Sequence, residues 1–202
     1  SEMQTRIVDD AGQDVADGTP GELLVRRAGD DPRFGFFRAY LKDPDATDAA
    51  WDGGWFHTGD IVMRDSDGLF FFRDRKKNII RRSGENIAAL EVETVLMRHA
   101  GVAALAVGPV PDPLREQEVA CLVVPAPGVD ANSLFAELFA LAQEELAYFK
   151  APGWFAAVES LPLTGTQKLQ RGALQSLLHT LFEDGTLVDF RHGESHRSRA
   201  AG

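Results

Sequence analysis

Asp60 closes a short run, Gly54-Trp55-Phe56-His57-Thr58-Gly59-Asp60, and a cationic stretch, Asp74-Arg75-Lys76-Lys77, follows it. A lone loop lysine, Lys168, comes much later in the chain. A carboxylate can accept hydrogen bonds from both hydroxyls of a ribose, and an arginine with two lysines can meet phosphates. The segment between Lys77 and Lys168 has the texture of a small separate domain, so these residues describe a site shared by two bodies. Each residue also has a plainer reading. Asp60 can be a turn aspartate that bonds its own backbone. Arg75 can be a solvated cation beside Asp74, and Lys168 an ordinary surface lysine. Its loop, Leu163-Thr164-Gly165-Thr166-Gln167-Lys168-Leu169-Gln170-Arg171, carries a glycine and two threonines. It lacks the Gly-x-x-x-x-Gly-Lys-Ser/Thr spacing that cradles phosphates.

The elements that must position these residues fall into two textures. Residues 1–76 are β-rich: Arg6 to Val8, Leu23 to Arg26, Trp55 to His57, Ile61 to Met63 and Leu69 to Arg73 are short apolar or alternating runs. Turns such as Thr19-Pro20-Gly21 and Asp65-Ser66-Asp67-Gly68 separate them. One short helix is expected near Asp43-Pro44-Asp45-Ala46-Thr47, with proline in its first turn. From Lys77 onward, Ile79 and Ile80 suggest a strand. Leu90 to Ala100 reads as a helix, with Val92, Val95, Leu96 and His99 on one stripe and Gly101 as its terminator. Val102 to Val107 and Val119 to Val124 read as strands around a proline-rich turn, Pro109 to Pro113. Asp130 is expected to cap a helix bearing Leu134, Leu138, Leu141 and Ala142. Phe155 to Val158 is a further strand, Leu161 to Gln170 a loop, and Leu174, Leu177, Leu178 and Leu181 mark a last helix. The order β-α-β-β-α-β-α predicts a small sheet covered by helices over 77–182, with 183–202 as a fraying tail.

The 202 residues, 44% hydrophobic and 26% charged, can bury a sizeable core. A formal charge of −10 argues against a general nucleic-acid binder and leaves anionic small substrates open through a local basic patch. Cys121, the sole cysteine, can form neither an internal disulfide nor a CxxC metal site; in Val119-Ala120-Cys121-Leu122-Val123-Val124 it reads as a small buried hydrophobe. A reducing, cytoplasmic setting fits, and no apolar run approaches the length of a membrane helix. His57 and His99 read as packing residues, and His179, His192 and His196 are too scattered for a metal site.

Taken in order, the motifs resemble the C-terminal third of the acyl-adenylate-forming family, which includes acyl-CoA synthetases, nonribosomal-peptide adenylation domains and firefly luciferase. The resemblance spans about residues 5 to 180. Gly21-Glu22-Leu23-Leu24-Val25-Arg26 looks like the family's Gly-Glu-Leu strand. Phe37 to Thr47 looks like its Gly-Tyr…Pro-Glu-x-Thr segment, with Ala39 and Asp45 as departures. Trp55 to Asp60 matches Trp-x-x-Thr-Gly-Asp, and Asp74 to Gly84 matches Gly/Asp-Arg…Gly. Thr164 to Arg171 matches Gly-x-x-Lys-x-x-Arg, with Gln167 where glycine is common. Arg81-Arg82-Ser83-Gly84-Glu85-Asn86-Ile87 is similar to the run found in crotonobetaine/carnitine–CoA ligases and related acyl-CoA ligases.

The resemblance implies an α+β fold, in which the β-rich end of a large N-terminal domain joins a small mobile α/β domain through a hinge at Lys77. It implies that Asp60 accepts hydrogen bonds from the ATP ribose and that Arg75 holds the same ribose or a nearby phosphate. Lys168 would be the catalytic cation of adenylate formation. Arg81, Ser83, Gly84, Glu85 and Asn86 would replace it in the thioester step, Gly84 letting the coenzyme A arm pass close to the backbone. ATP, coenzyme A and a carboxylic acid are the implied substrates. Mg²⁺ is implied too, its ligand lying on the large domain with the phosphate loop and the adenine segment. Since those parts do not occur among these residues, the chain is expected to be a C-terminal fragment of an AMP-forming acyl-CoA ligase, inactive alone. Two alternatives stand beside this: an adenylation domain that loads a carrier protein, and a non-catalytic binding or regulatory module of the same fold. Asp60, Arg75 and Lys168 occurring together speak against the module.

Overall fold

Short alternating runs punctuated by glycine and aspartate pair into an antiparallel sheet in the first part of the chain. The computed structural model describes residues 2–191 and the backbone of His196 and Arg197, and the chain divides into two units, Ser1–Lys77 and Asn78–Gly202. In the first unit, β1 (Met3–Val8), β2 (Gly21–Arg27), β3 (Phe56–Arg64) and β4 (Phe70–Arg75) form a four-stranded sheet in sequence order. Between β2 and β3 lies α1 (Pro44–Ala49), whose Asp43 cap accepts the Ala46 N–H at 3.0 Å. Ile7, Val8, Leu24, Trp51 and Val62 are buried, and the Trp51 ring packs against Phe36 and Phe56 at centroid distances of 5.1 and 5.5 Å. The two strands expected over Trp55–His57 and Ile61–Met63 are one strand. Gly59 takes a φ of +68°, and β2 pairs Glu22 with Ile61 but Leu24 with His57. The intervening Thr58-Gly59-Asp60 bulges out of the ladder instead of ending the strand.

The second unit is built on β5 (Ile79–Arg82), β6 (Glu85–Ala88), β7 (Val102–Asp112), β8 (Glu116–Pro125), β9 (Trp154–Ala157), β10 (Val188–Asp189) and β11 (His196–Arg197). β7 and β8 form a long antiparallel hairpin, β9 lies parallel to β8, β10 pairs antiparallel with β9, and β5 meets β8 at Arg82 and Glu116. Three helices, α2 (Ala89–Leu96), α3 (Ala131–Glu145) and α4 (Arg171–Glu183), cover the sheet. Residues alternate between two cores. Val107, Val119, Cys121, Val123 and Phe155 pack with Val92 and Leu96 of α2 and Leu134 and Leu138 of α3. Ala106, Ala120, Leu122, Trp154 and Ala156 pack with Leu174 and Leu178 of α4. Covering both faces is why the β8 run is apolar without a gap. Burial pushes the Cys121 thiol pKa far up, with the charge of Glu93 adding to it, so the thiol stays protonated.

Three expectations change here. Most of the proline-rich segment lies inside β7, with Pro109 opposite Val119 and Pro111 opposite Gln117, and the turn is confined to residues 113–115. Among the described residues β7 pairs with β8 alone, and a strand with one open edge tolerates the missing N–H groups. Helix α2 ends at Leu96 rather than Ala100; residues 97–101 turn the chain into β7, and the Gly101 N–H donates to His99 Nδ1 at 3.1 Å. Of the tail expected to fray from residue 183, the described residues are structured, while 192–195 and 198–202 lie outside the described residues. Leu187 and Phe190 are buried, β10 extends the sheet, and Arg191 pairs with Asp112 and Asp189 at 3.0 and 2.7 Å. Apolar side chains spaced three apart, too few to look like an element in the sequence, have a core edge to fill.

Candidate active site

The expected ribose-binding pair comes together in the first unit. Asp60 and Arg75 stand directly opposite one another in the β3–β4 register, and Arg75 Nε lies 2.7 Å from Asp60 Oδ1. Arg75 Nη1 also donates to the Thr58 carbonyl at 3.2 Å. Thr58 stiffens the bulge: its hydroxyl donates to the Leu23 carbonyl at 2.7 Å and accepts the Asp60 N–H at 3.1 Å. The result is a carboxylate and a guanidinium side by side at the sheet surface, one acceptor and one fork of donors. That combination can hold a vicinal diol and an anionic oxygen at the same time.

A residue without an assigned role supports the pair from below. Glu22 is 5% exposed. Its carboxylate accepts Lys76 Nζ at 2.8 Å and the Gly59 N–H at 3.3 Å, with His57 Nδ1 3.3 Å away. His57 is therefore a polar partner rather than mere packing. Glu22 ties the bulge to the last residues before the second unit. The signal for it in the sequence was a lone acid flanked by Gly21 and Leu23 at the start of an apolar strand. Burial disfavours its charge, but the hydrogen bonds and charges of Lys76 and His57 outweigh that and hold its pKa below the ordinary value. A depressed carboxylate contributes stability that is complete above its unfolded pKa and disappears as pH falls through the folded one. Glu22→Gln should therefore cost about 1.5–3 kcal/mol near neutrality, and that difference should shrink towards zero below about pH 4. Urea midpoints of both proteins across pH test this; a difference that persists unchanged into acid contradicts it.

In the second unit, Arg81, Ser83, Gly84, Glu85 and Asn86 form one exposed hairpin instead of the loop expected from the sequence. Arg81 pairs with Asn86 and Arg82 with Glu85, while Ser83 (φ +52°) and Gly84 (φ +81°) make the turn. Two successive left-handed residues are what a tight two-residue hairpin requires. The tip is held by Ser83 N–H donating to the Arg115 carbonyl at 3.0 Å. Arg82, inside the hairpin, turns inward to Glu118 at 2.8 Å. Lys77 is exposed on the 3-10 turn Lys76–Asn78 that links the two units.

Lys168 is carried on a different element, the turn before α4, and it is exposed. The expected flexible loop is closed by its own bonds. The Thr164 N–H donates to the Lys168 carbonyl at 2.7 Å, the Lys168 N–H to the Thr164 hydroxyl at 3.0 Å, and the Gln167 N–H to the Thr164 carbonyl at 2.9 Å. Gln167, where the family motif has glycine, takes the left-handed φ of +61° that such a turn needs. Among the described residues no group of three His, Cys, Asp or Glu side chains is arranged to hold a metal ion.

Much of the chain is similar to known proteins. Residues 91–168 match the AMP-binding enzyme C-terminal domain. The crotonobetaine/carnitine–CoA ligase of Proteus mirabilis is 35% identical over 174 residues, 85% of this chain and 32% of that protein. A feruloyl-CoA synthase of Amycolatopsis is 36% identical over 172 residues, 84% of this chain and 33% of the relative. The o-succinylbenzoate CoA synthetase of Bacillus subtilis, solved with its acyl-adenylate intermediate, superposes with a TM-score of 0.72 at 30% identity. That match covers 86% of this chain and 34% of the synthetase. The chain thus spans about a third of the length of the curated relatives it matches. No helix among its described residues is long and apolar enough to cross a membrane.

Proposed function

We propose that the chain is the C-terminal part of an ATP-dependent acid–thiol ligase. In the first step a carboxylate oxygen attacks the α-phosphorus of ATP, forming an acyl-adenylate and releasing pyrophosphate. In the second, the coenzyme A thiolate attacks the acyl carbonyl, forming the thioester and releasing AMP. The observation that carries this reading is the Asp60–Arg75 pair, set in the register of two strands beside a bulge. In this reading Asp60 accepts the ribose hydroxyls and Arg75 holds the ribose or a phosphate. Lys168 places a compact positive charge where charge spreads over the carboxylate and α-phosphate oxygens. Lys77 is the hinge about which the second unit changes orientation between the two steps. The exposed hairpin of Arg81, Ser83, Gly84, Glu85 and Asn86 then serves the thioester step, Gly84 leaving room for the thiol arm. The phosphate-binding loop, the acyl pocket and the Mg²⁺ ligand belong to a large N-terminal domain, the partner of this chain. The lone, buried Cys121 is compatible with a cytoplasmic enzyme.

The test uses the longer reading frame that encodes these residues. Its product should catalyse ATP–pyrophosphate exchange that depends on a carboxylic acid, and should convert the adenylate to a coenzyme A thioester. Residues 1–202 alone should give neither. Transfer to a carrier-protein phosphopantetheine but not to coenzyme A would favour the carrier-loading reading, and absence of exchange with any carboxylate would end the enzymatic one.

A further inference from the structure

Lys168 works only if its turn is held still, and the bonds inside the turn do not anchor it to the rest of the unit. That anchor lies three residues on. Arg171 opens α4, and its guanidinium forks onto Glu93 of α2: Nη1 donates to Oε1 at 2.8 Å and Nη2 to Oε2 at 2.9 Å. The same knot takes in the middle of β7. The Val107 N–H donates to Glu93 Oε1 at 2.9 Å, and Arg171 Nη1 donates to the Val107 carbonyl at 3.0 Å. The Lys168 turn is joined to this knot through its base, where the Gln170 N–H donates to the Pro162 carbonyl at 2.8 Å and the Gln170 side chain to the Leu163 carbonyl at 2.7 Å.

Two features say that this arrangement is more than helix packing. A cation in the first turn of a helix opposes the helix dipole, and α4 has no side-chain cap and no acid in its first turn. Arg171 therefore stands where α4 itself gains nothing from it. Glu93 sits on the buried side of α2, between Val92 and Leu96 on a stripe that is otherwise apolar. A buried charge there is costly unless fully paired, and a bidentate fork is the pairing that fixes direction as well as distance.

We infer that Glu93 and Arg171 are positioning residues for Lys168, locking the turn of residues 164–168 to α2 and β7 so that the ammonium arrives in one geometry. This rests on the ligase reading above. Neither residue touches substrate; both act through Lys168.

The experiment is a double-mutant cycle in the longer enzyme. Glu93→Gln keeps the shape and the Val107 contact but removes the charge. Arg171→Lys keeps the charge but removes the fork. Each should slow carboxylate-dependent ATP–pyrophosphate exchange by about 10–10²-fold, the scale of a misplaced catalytic group. Thioester formation from supplied acyl-adenylate should stay within about twofold, because Lys168 has no part in that step. In a Lys168→Ala background neither substitution should add a further loss, since the group they position is gone. Losses that multiply with that of Lys168→Ala, equal losses in both half-reactions, no loss at all, or failure of both variants to fold would each overturn the inference. An unsubstituted enzyme that exchanges no pyrophosphate would instead overturn the ligase reading and take this inference with it.

Discussion

In the proposed ligase, Lys168→Ala should slow acyl-adenylate formation by roughly 10²–10³, the loss expected when one preorganised charge donor is removed. Thioester formation from supplied acyl-adenylate should change far less. The turn makes this a clean substitution. Its bonds run through the Lys168 backbone and the Thr164 hydroxyl, so alanine deletes the ammonium and leaves the scaffold. The lysine side chain is exposed, so no core is disturbed and the thermal midpoint should hold. Acetylation of Lys168 would remove the same charge and should reproduce the loss. The check is a measurement of both half-reactions on one preparation. A collapse of the thioester step with adenylation near normal would show that the role assigned to Lys168 is wrong.

Glu118→Ala should destabilise the second unit by about 3–5 kcal/mol, the cost of leaving a buried cation unpaired. Glu118 is fully buried on β8. Oε1 lies 2.8 Å from Arg82 Nε and accepts the Val119 N–H at 2.9 Å, and Oε2 lies 3.2 Å from Arg115 Nη1. Arg82 is only 14% exposed and cannot recover water when its partner is deleted. Burial pushes the Glu118 carboxyl above its ordinary pKa, although the Val119 N–H and the two arginines favour the charged form. Glu118→Gln, which keeps the oxygen and the shape, should therefore lose less than the alanine. Trp154 is the unit's own buried tryptophan, and Trp51 and Trp55 belong to the first unit. Urea unfolding followed by Trp154 fluorescence, with the other two replaced by phenylalanine, reports the second unit. A loss below about 1 kcal/mol would mean that Arg82 finds another partner. Because Arg82 belongs to the Ser83-Gly84 hairpin, the same substitution should loosen the tip proposed to serve the thioester step.

Local chemistry made much of this protein readable in advance. Asp130 capping α3, Pro44 opening α1 and the continuous apolar runs of β7, β8 and β9 follow from short-range rules, and the structure has them. Asp60, Arg75 and Lys168 could be singled out as candidates because their types and spacing suit the proposed chemistry, and the structure pairs Asp60 with Arg75. What sequence spacing could not express was pairing at a distance. Residues 81–86 look like a polar loop until Ile87 and Ala88 pair back onto Ile80 and Ile79; only then do Ser83 and Gly84 become a turn. Pro109 and Pro111 read as a break because the local rule assumes a strand paired on both sides, whereas among the described residues β7 has an open edge. Leu187 and Phe190 are too sparse to announce an element, yet a core edge buries them. The burial of Glu22, Glu93 and Glu118 has no local signal, because it is decided by partners 54, 78 and 36 residues away, respectively Lys76, Arg171 and Arg82. Apolar periodicity is a local property and survives in the sequence. The pairing of buried charges is created by the fold, because only the fold removes the water that would otherwise satisfy them.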